Sequence, residues 1–151
     1  MTDLTTLSVS AATAINTDTI TTTGTQTYTG QVTLGASSSL TSDSGAIVFS
    51  NTINSADATA RSLALKSTAA AQNFVGAVGS INALDILRIE SAGVTEGASA
   101  SIKAAKLAIK SSGTVTLENA SNDVNVLAAN LSGSASLSLS LIHISEPTRP
   151  Y

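Results

Sequence analysis

Residues Thr17 to Thr29 read Thr-Asp-Thr-Ile-Thr-Thr-Thr-Gly-Thr-Gln-Thr-Tyr-Thr, with threonine at every odd position. Successive side chains of an extended chain point to opposite faces, so an alternation with a period of two is typical of a β-strand. Much of the remaining chain has the same period, with Val, Ile and Leu alternating with Ser and Thr. The sequence therefore predicts an all-β protein built from many short strands.

The composition indicates a narrow core. Of the 151 residues, 42% are hydrophobic but only 3% are aromatic, and the chain has no Cys and no Trp. Aromatic side chains bury roughly 150–250 Å² each and dominate wide cores, so this chain needs an interior filled by Val, Ile, Leu and Ala. The interior of a solenoid meets that requirement. A net charge of only −3 and a positive mean hydropathy argue against disorder.

Pairs of apolar residues at positions i and i+2 recur along the chain and are the candidates for this interior. They are Val32 and Leu34, Ile47 and Phe49, Leu63 and Leu65, Leu87 and Ile89, Leu107 and Ile109, and Val115 and Leu117. Stacked in ladders with rungs of roughly 20 residues, they predict a parallel β-helix of about seven turns. An echo between Leu4–Val9 and Leu84–Ile89, offset by 80 residues, suggests an internal repeat. The alternative is an antiparallel β-sandwich, which lacks the support of hairpin dipeptides such as Asn-Gly.

The last residues differ from the rest of the chain. Leu139 to Pro150 reads LSLIHISEPTRP and holds the chain's one His and both of its Pro. This stretch resembles a translated sequencing adapter rather than an evolved segment. We therefore expect residues 1–138 to form a β-solenoid repeat region, a fragment of a longer chain, and residues 139–151 to be an artefactual tail that removes His143 from the credible chemistry.

The side chains that carry chemistry are sparse. The carboxylates are spread singly along the sequence, without an Asp-Asp or Asp-x-Asp pair, and no Cys is present to form a nucleophile or a zinc site. We expect no enzyme, no cofactor and no metal. Lys103, Lys106 and Lys110 form a candidate patch for a polyanion, either on a short helix over residues 98–110 or on a strand.

The partners are constrained by charge and hydropathy. With a sequence pI of about 4.8, the chain lacks the dense basic clusters that nucleic acids and anionic membranes require. No segment approaches the roughly 18 consecutive apolar residues of a membrane span. We expect no nucleic-acid partner and no membrane insertion by this segment.

Two stretches resemble a known family. Ile20 to Gly35 reads ITTTGTQTYTGQVTLG, and Gly113 to Ala128 includes GTVTLEN and NDVNVLA. In their composition these stretches resemble the repeats of filamentous haemagglutinin-like and autotransporter-type surface proteins of Gram-negative bacteria. The resemblance implies a right-handed parallel β-helix that is secreted, displayed at the cell surface in association with the outer membrane, and used in adhesion.

The function that follows from this resemblance is that of a non-enzymatic stalk or adhesin. Its partners would be host-cell or matrix glycans or proteins, together with flanking repeats of the same chain. Two alternatives remain open, a polysaccharide-active β-helix enzyme and a passive structural spacer.

Overall fold

The computed structural model describes residues 4–142, which form sixteen β-strands and no helix. Each strand pairs with its neighbours in parallel. The strands are β1 (Leu7–Val9), β2 (Thr13–Ile15), β3 (Thr19–Thr22), β4 (Gln26–Tyr28), β5 (Val32–Leu34), β6 (Ser38–Ser42), β7 (Ile47–Phe49), β8 (Ile53–Ser55), β9 (Leu63–Ser67), β10 (Gln72–Phe74), β11 (Leu84–Ser91), β12 (Val94–Glu96), β13 (Lys103–Ser111), β14 (Val115–Leu117), β15 (Asp123–Leu131) and β16 (Leu137–Leu139).

The strands form three sheets that run along a β-solenoid of about six turns. The seven-stranded sheet has the order β1-β4-β7-β10-β12-β14-β16, the six-stranded sheet β15-β13-β11-β9-β6-β3, and the three-stranded sheet β2-β5-β8. Registered residues in neighbouring rungs are about one turn apart, from Leu7 and Gln26 to Phe49 and Phe74. The parallel β-helix is confirmed, and the antiparallel sandwich is wrong because the pairings are parallel.

The interior consists of columns of apolar side chains from successive rungs. All twelve residues of the predicted i, i+2 pairs are buried. One column contains three stacked rings: the centroids of Tyr28 and Phe49 are 5.1 Å apart, and those of Phe49 and Phe74 are 6.3 Å apart. The Tyr28 hydroxyl donates a hydrogen bond to Oε1 of Gln26, and burial raises the pKa of Tyr28 to about 12. The few aromatic residues are therefore concentrated where they stabilise the core.

Corners divide several stretches that the alternation predicts as single strands. Thr13–Thr23 becomes β2 and β3, because the chain turns at residues 16–18, and Thr25–Leu34 becomes β4 and β5. No predicted strand corresponds to β12. The echo of Leu4–Val9 in Leu84–Ile89 is not a structural repeat, since β1 belongs to the seven-stranded sheet and β11 to the six-stranded sheet. Alternation marks extended chain but does not distinguish one face of the solenoid from another.

Hydroxyl groups close the corner that follows the six-stranded sheet. Ser42, Ser67, Ser91 and Ser111 occupy equivalent buried positions at the ends of β6, β9, β11 and β13. Their Oγ atoms donate to glycine carbonyl oxygens, for example Ser91 to Gly93 at 2.8 Å. Buried polar groups need such partners, so these serines satisfy carbonyl groups that the turn removes from the ladder.

The expected tail begins within an ordered strand. β16 ends at Leu139, and Leu139 and Leu141 pack against the core. His143 and the other residues to Tyr151 lie outside the described residues.

Candidate functional site on the six-stranded sheet

The outer face of the six-stranded sheet presents rows of side chains that run along the solenoid. One row contains Thr19, Ser39, Ala64, Arg88, Ala108 and Ala128, as the register of the six strands shows. A second row, two residues further along each strand, contains Thr21, Thr41, Lys66, Glu90, Lys110 and Asn130. Neighbouring rungs are about 4.8 Å apart. Residues that are distant in sequence therefore lie side by side on this face.

Basic residues are concentrated on this sheet. The chain has seven lysines and arginines, of which Arg149 lies outside the described residues. Of the remaining six, all but Arg61 are exposed residues of β9, β11 and β13: Lys66, Arg88, Lys103, Lys106 and Lys110. The same strands and β15 carry three carboxylates, Asp85, Glu90 and Asp123, so cations are in excess here although the whole chain is acidic.

The predicted polyanion patch lies on β13. The alternative helix over residues 98–110 is wrong, because Lys103–Ser111 is a strand that pairs with β11 and β15. Lys103, Lys106 and Lys110 are all exposed, but they are spread along the strand, and Lys103 is registered with Asp123. The Nζ of Lys110 lies 2.9 Å from Oε1 of Glu90, and this hydrogen bond is the main reason that the pKa of Glu90 is lowered. Binding of a polyanion by these lysines stays a prediction.

Arg88 occupies the centre of the basic face. It lines three shallow depressions of about 440, 230 and 310 Å³, which together extend from β6 to β15. The depressions exist because Ala64, Ala108 and Ala128 are the neighbours of Arg88 in its row, and their small side chains leave a low floor. No hydrogen-bond or ion-pair partner of the Arg88 guanidinium is found among residues 4–142. Its charge is available to a ligand.

A second group of polar residues lies at a corner near the end of the solenoid. Glu96 is registered with Phe74 and so occupies the interior column that holds Tyr28 and Phe49 in earlier rungs. Its Oε1 accepts hydrogen bonds from the backbone N–H of Asn119 and from Nδ2 of Asn122, the latter at 2.9 Å. Its Oε2 is buried and has no hydrogen-bond partner among the described residues. Burial is the largest cause of the raised pKa of Glu96.

Glu118 lies close enough to Glu96 to contribute to that shift. Its negative charge is a smaller cause of the raised pKa of Glu96, and both residues line a depression of about 480 Å³ together with Thr116 and Asn119. One half-buried carboxyl with a raised pKa thus lies beside an exposed one. A pair of unequal carboxyl groups is the arrangement used for acid and base roles in glycoside hydrolysis.

Replacing Glu96 by Gln removes the half-buried charge and keeps an oxygen for Asn119 and Asn122. A carboxyl whose pKa is raised in the folded state binds its proton more tightly there, so the folded wild type is most favoured below the ordinary carboxyl pKa and loses that stability as pH rises through the raised value. We expect the free energy of unfolding of Glu96→Gln to gain on that of the wild type over this interval. Urea unfolding from pH 3.5 to pH 8 measures the difference.

Glu118→Gln is the companion variant. It removes the smaller cause of the raised pKa, so it should reduce the pH dependence without abolishing it. A difference between Glu96→Gln and the wild type that is constant across the pH range, or that grows toward low pH, would contradict this assignment.

Arg88, Glu96 and Glu118 were not predicted as members of a site. Glu96 and Glu118 are 22 residues apart in sequence, and one turn of the solenoid brings them together. A search for adjacent acidic residues cannot detect such a pair. The useful signal would have been the strand register, which places Thr95 opposite Thr116 and therefore the two glutamates at one corner.

No group of three or more His, Cys, Asp or Glu suited to a metal ion occurs among residues 4–142. Within the same residues there is no helix long and apolar enough to cross a membrane.

Comparison of the chain with protein-family models, with curated proteins and with solved structures finds no match. The class of protein defined by the fold is a parallel β-solenoid.

Proposed function

We propose that this chain is a structural and adhesive repeat segment of a large secreted protein of the bacterial cell surface, in which the solenoid acts as a non-enzymatic stalk. The observation that carries the proposal is the unbroken ladder from β1 to β16, in which seven rungs of one sheet stack in a single direction. Six spacings of about 4.8 Å give a rod of roughly 29 Å whose sides, rather than a deep cleft, are open to partners.

The ends of this rod fit further repeats. Among the described residues, β1 and β16 each pair on one side only within the seven-stranded sheet. Open strand edges are templates for additional pairing, so flanking repeats of the same chain are the partners that we propose for them. Host-cell or matrix glycans or proteins are the proposed partners of the sides.

Display at the surface is tested on intact cells of the source organism. Antibodies raised against the full chain should label unpermeabilised cells, and protease added outside should abolish the labelling. Labelling that requires permeabilisation would contradict both surface display and adhesion. A chain that is displayed but binds no glycan or protein of the host or matrix would be a passive spacer.

The second candidate function is a polysaccharide-active enzyme, and the pairing of Glu96 with Glu118 is the observation that favours it. We expect no release of reducing sugar from plant or bacterial polysaccharides by the wild-type chain. Release that disappears in both Glu96→Gln and Glu118→Gln, while Asp43→Asn retains it, would replace the stalk by a hydrolase. Asp43 is a matched control because it is an exposed carboxylate elsewhere on the solenoid.

A further inference from the structure

The depressions around Arg88 form a continuous groove on the six-stranded sheet. Five strands, β6 to β15, contribute to the groove, which gives it a length of about 19 Å along the solenoid axis. Its floor is the alanine row that contains Arg88, and one wall is the row of Lys66, Glu90 and Lys110. The groove is long, shallow and open, which suits a linear polymer better than a small molecule.

The charges of the groove are arranged for an anionic ligand. Arg88 and Lys66 line the same depression, lie on neighbouring strands and have no ion-pair partner among the described residues. Outside the six-stranded sheet, the described residues hold Arg61 against five carboxylates, of which Asp18 borders one depression. This separation of charge directs an anion to one face of an acidic protein.

We infer that this groove binds a linear acidic polysaccharide through the carboxylates of its uronic acid units, an inference that rests on the proposed adhesive function. Arg88 would hold one carboxylate with two parallel hydrogen bonds, since a planar guanidinium matches a carboxylate in this way. Lys66 would face the carboxylate of a neighbouring unit. Ala108 and Ala128 offer an apolar floor to the sugar rings, and Thr41 and Asn130 offer hydrogen bonds to their hydroxyl groups.

Single-stranded nucleic acid fits the groove less well. Proteins that bind single strands stack the bases on aromatic side chains, and the aromatic residues of the described chain, Tyr28, Phe49 and Phe74, are buried in the core. Glu90 stands between Lys66 and Lys110 and would repel a dense row of phosphates, whereas it can accept hydrogen bonds from sugar hydroxyls. The groove therefore favours carboxylated sugars.

The test measures binding of polygalacturonate and of uncharged dextran to the full chain by calorimetry at low salt. We expect polygalacturonate to bind and dextran not to bind. Arg88→Gln should weaken polygalacturonate binding by about tenfold or more, as loss of a charge-assisted bidentate contact does. Ala108→Leu should weaken it comparably by filling the floor without changing the charge. Asn73→Asp is the control, since it makes the same change in net charge on the exposed face of the seven-stranded sheet.

The three variants separate the groove from the net charge of the chain. Loss of binding in both groove variants, with retention in Asn73→Asp, supports the inference. No binding by the wild type, equal weakening by all three variants, or equally tight binding of single-stranded DNA would overturn it, while the surface stalk could still stand on the cell-labelling result. Release of reducing sugar from polygalacturonate would instead overturn the non-enzymatic function.

Discussion

Replacing Phe49 by Ala should lower the free energy of unfolding by about 3–5 kcal/mol. Phe49 is the middle ring of the stacked column and is buried between Tyr28 and Phe74. Its loss removes apolar burial and both ring contacts and leaves a cavity that the rigid ladders on either side cannot close. Because each rung of a solenoid contacts only its neighbours, this damage at the centre also weakens the coupling between the two halves.

Val48→Ala is the matched control for this substitution. Val48 precedes Phe49 in β7 and points outward, where it is partly exposed. We expect it to lower the free energy of unfolding by less than about 1 kcal/mol. Urea unfolding followed by far-ultraviolet circular dichroism measures both variants. Similar effects of the two substitutions would mean that Phe49 does not occupy the core.

Gly76→Ala should lower the free energy of unfolding by about 1–3 kcal/mol. A Cβ at Gly76 would lie 2.4 Å from the carbonyl carbon of Asn51 and 2.7 Å from the backbone nitrogen of Thr52 in the preceding rung. Both are backbone atoms held in a corner of the solenoid, so the rungs must separate to accept the methyl group. The cost arises from how closely successive corners stack rather than from the conformation of the glycine itself.

Gly97→Ala separates this effect from the general consequence of replacing glycine. The atoms nearest to a Cβ at Gly97 are carbonyl oxygens of Phe74 and Val75, each at 3.5 Å, which is ordinary contact. We expect this variant to unfold within about 1 kcal/mol of the wild type, with a shift toward greater stability because alanine restricts the unfolded chain. If Gly76→Ala is equally tolerated, the corners at residues 51 and 76 do not stack as described.

The interior was predictable because alternation and apolarity coincide there. Val32 and Leu34, or Leu87 and Ile89, identify themselves as inward pairs, and the structure buries them. The limits of strands were less predictable, since the threonine alternation of Thr17 to Thr29 continues through a corner at which the chain changes sheet. Ser and Thr at strand ends, such as Ser91 two residues before a glycine, are the local signal of these corners.

The surface groups were harder to predict because they depend on the register between rungs. The neighbours of Arg88 in its row are Ala64 and Ala108, 24 and 20 residues away, and the rungs differ in length because their corners do. Lys103, Lys106 and Lys110 are close in sequence but spread along one strand, whereas Glu96 and Glu118 are distant in sequence and share a corner. Sequence proximity was the wrong measure of spatial proximity in both cases.

The most direct test of the β-solenoid is a disulfide between neighbouring rungs, which the absence of native cysteine makes unambiguous. Val48 is registered with Asn73 in parallel strands, and Thr95 lies one rung further along the same outward row. Adjacent strands bring Cα atoms within the distance that a disulfide spans, whereas two rungs place them about 10 Å apart. Under mild oxidation of the monomer, the double variant Val48→Cys with Asn73→Cys should form an intramolecular disulfide that mass spectrometry detects, and Val48→Cys with Thr95→Cys should not. A disulfide in the second variant but not in the first would contradict the parallel register on which the fold and both candidate sites depend.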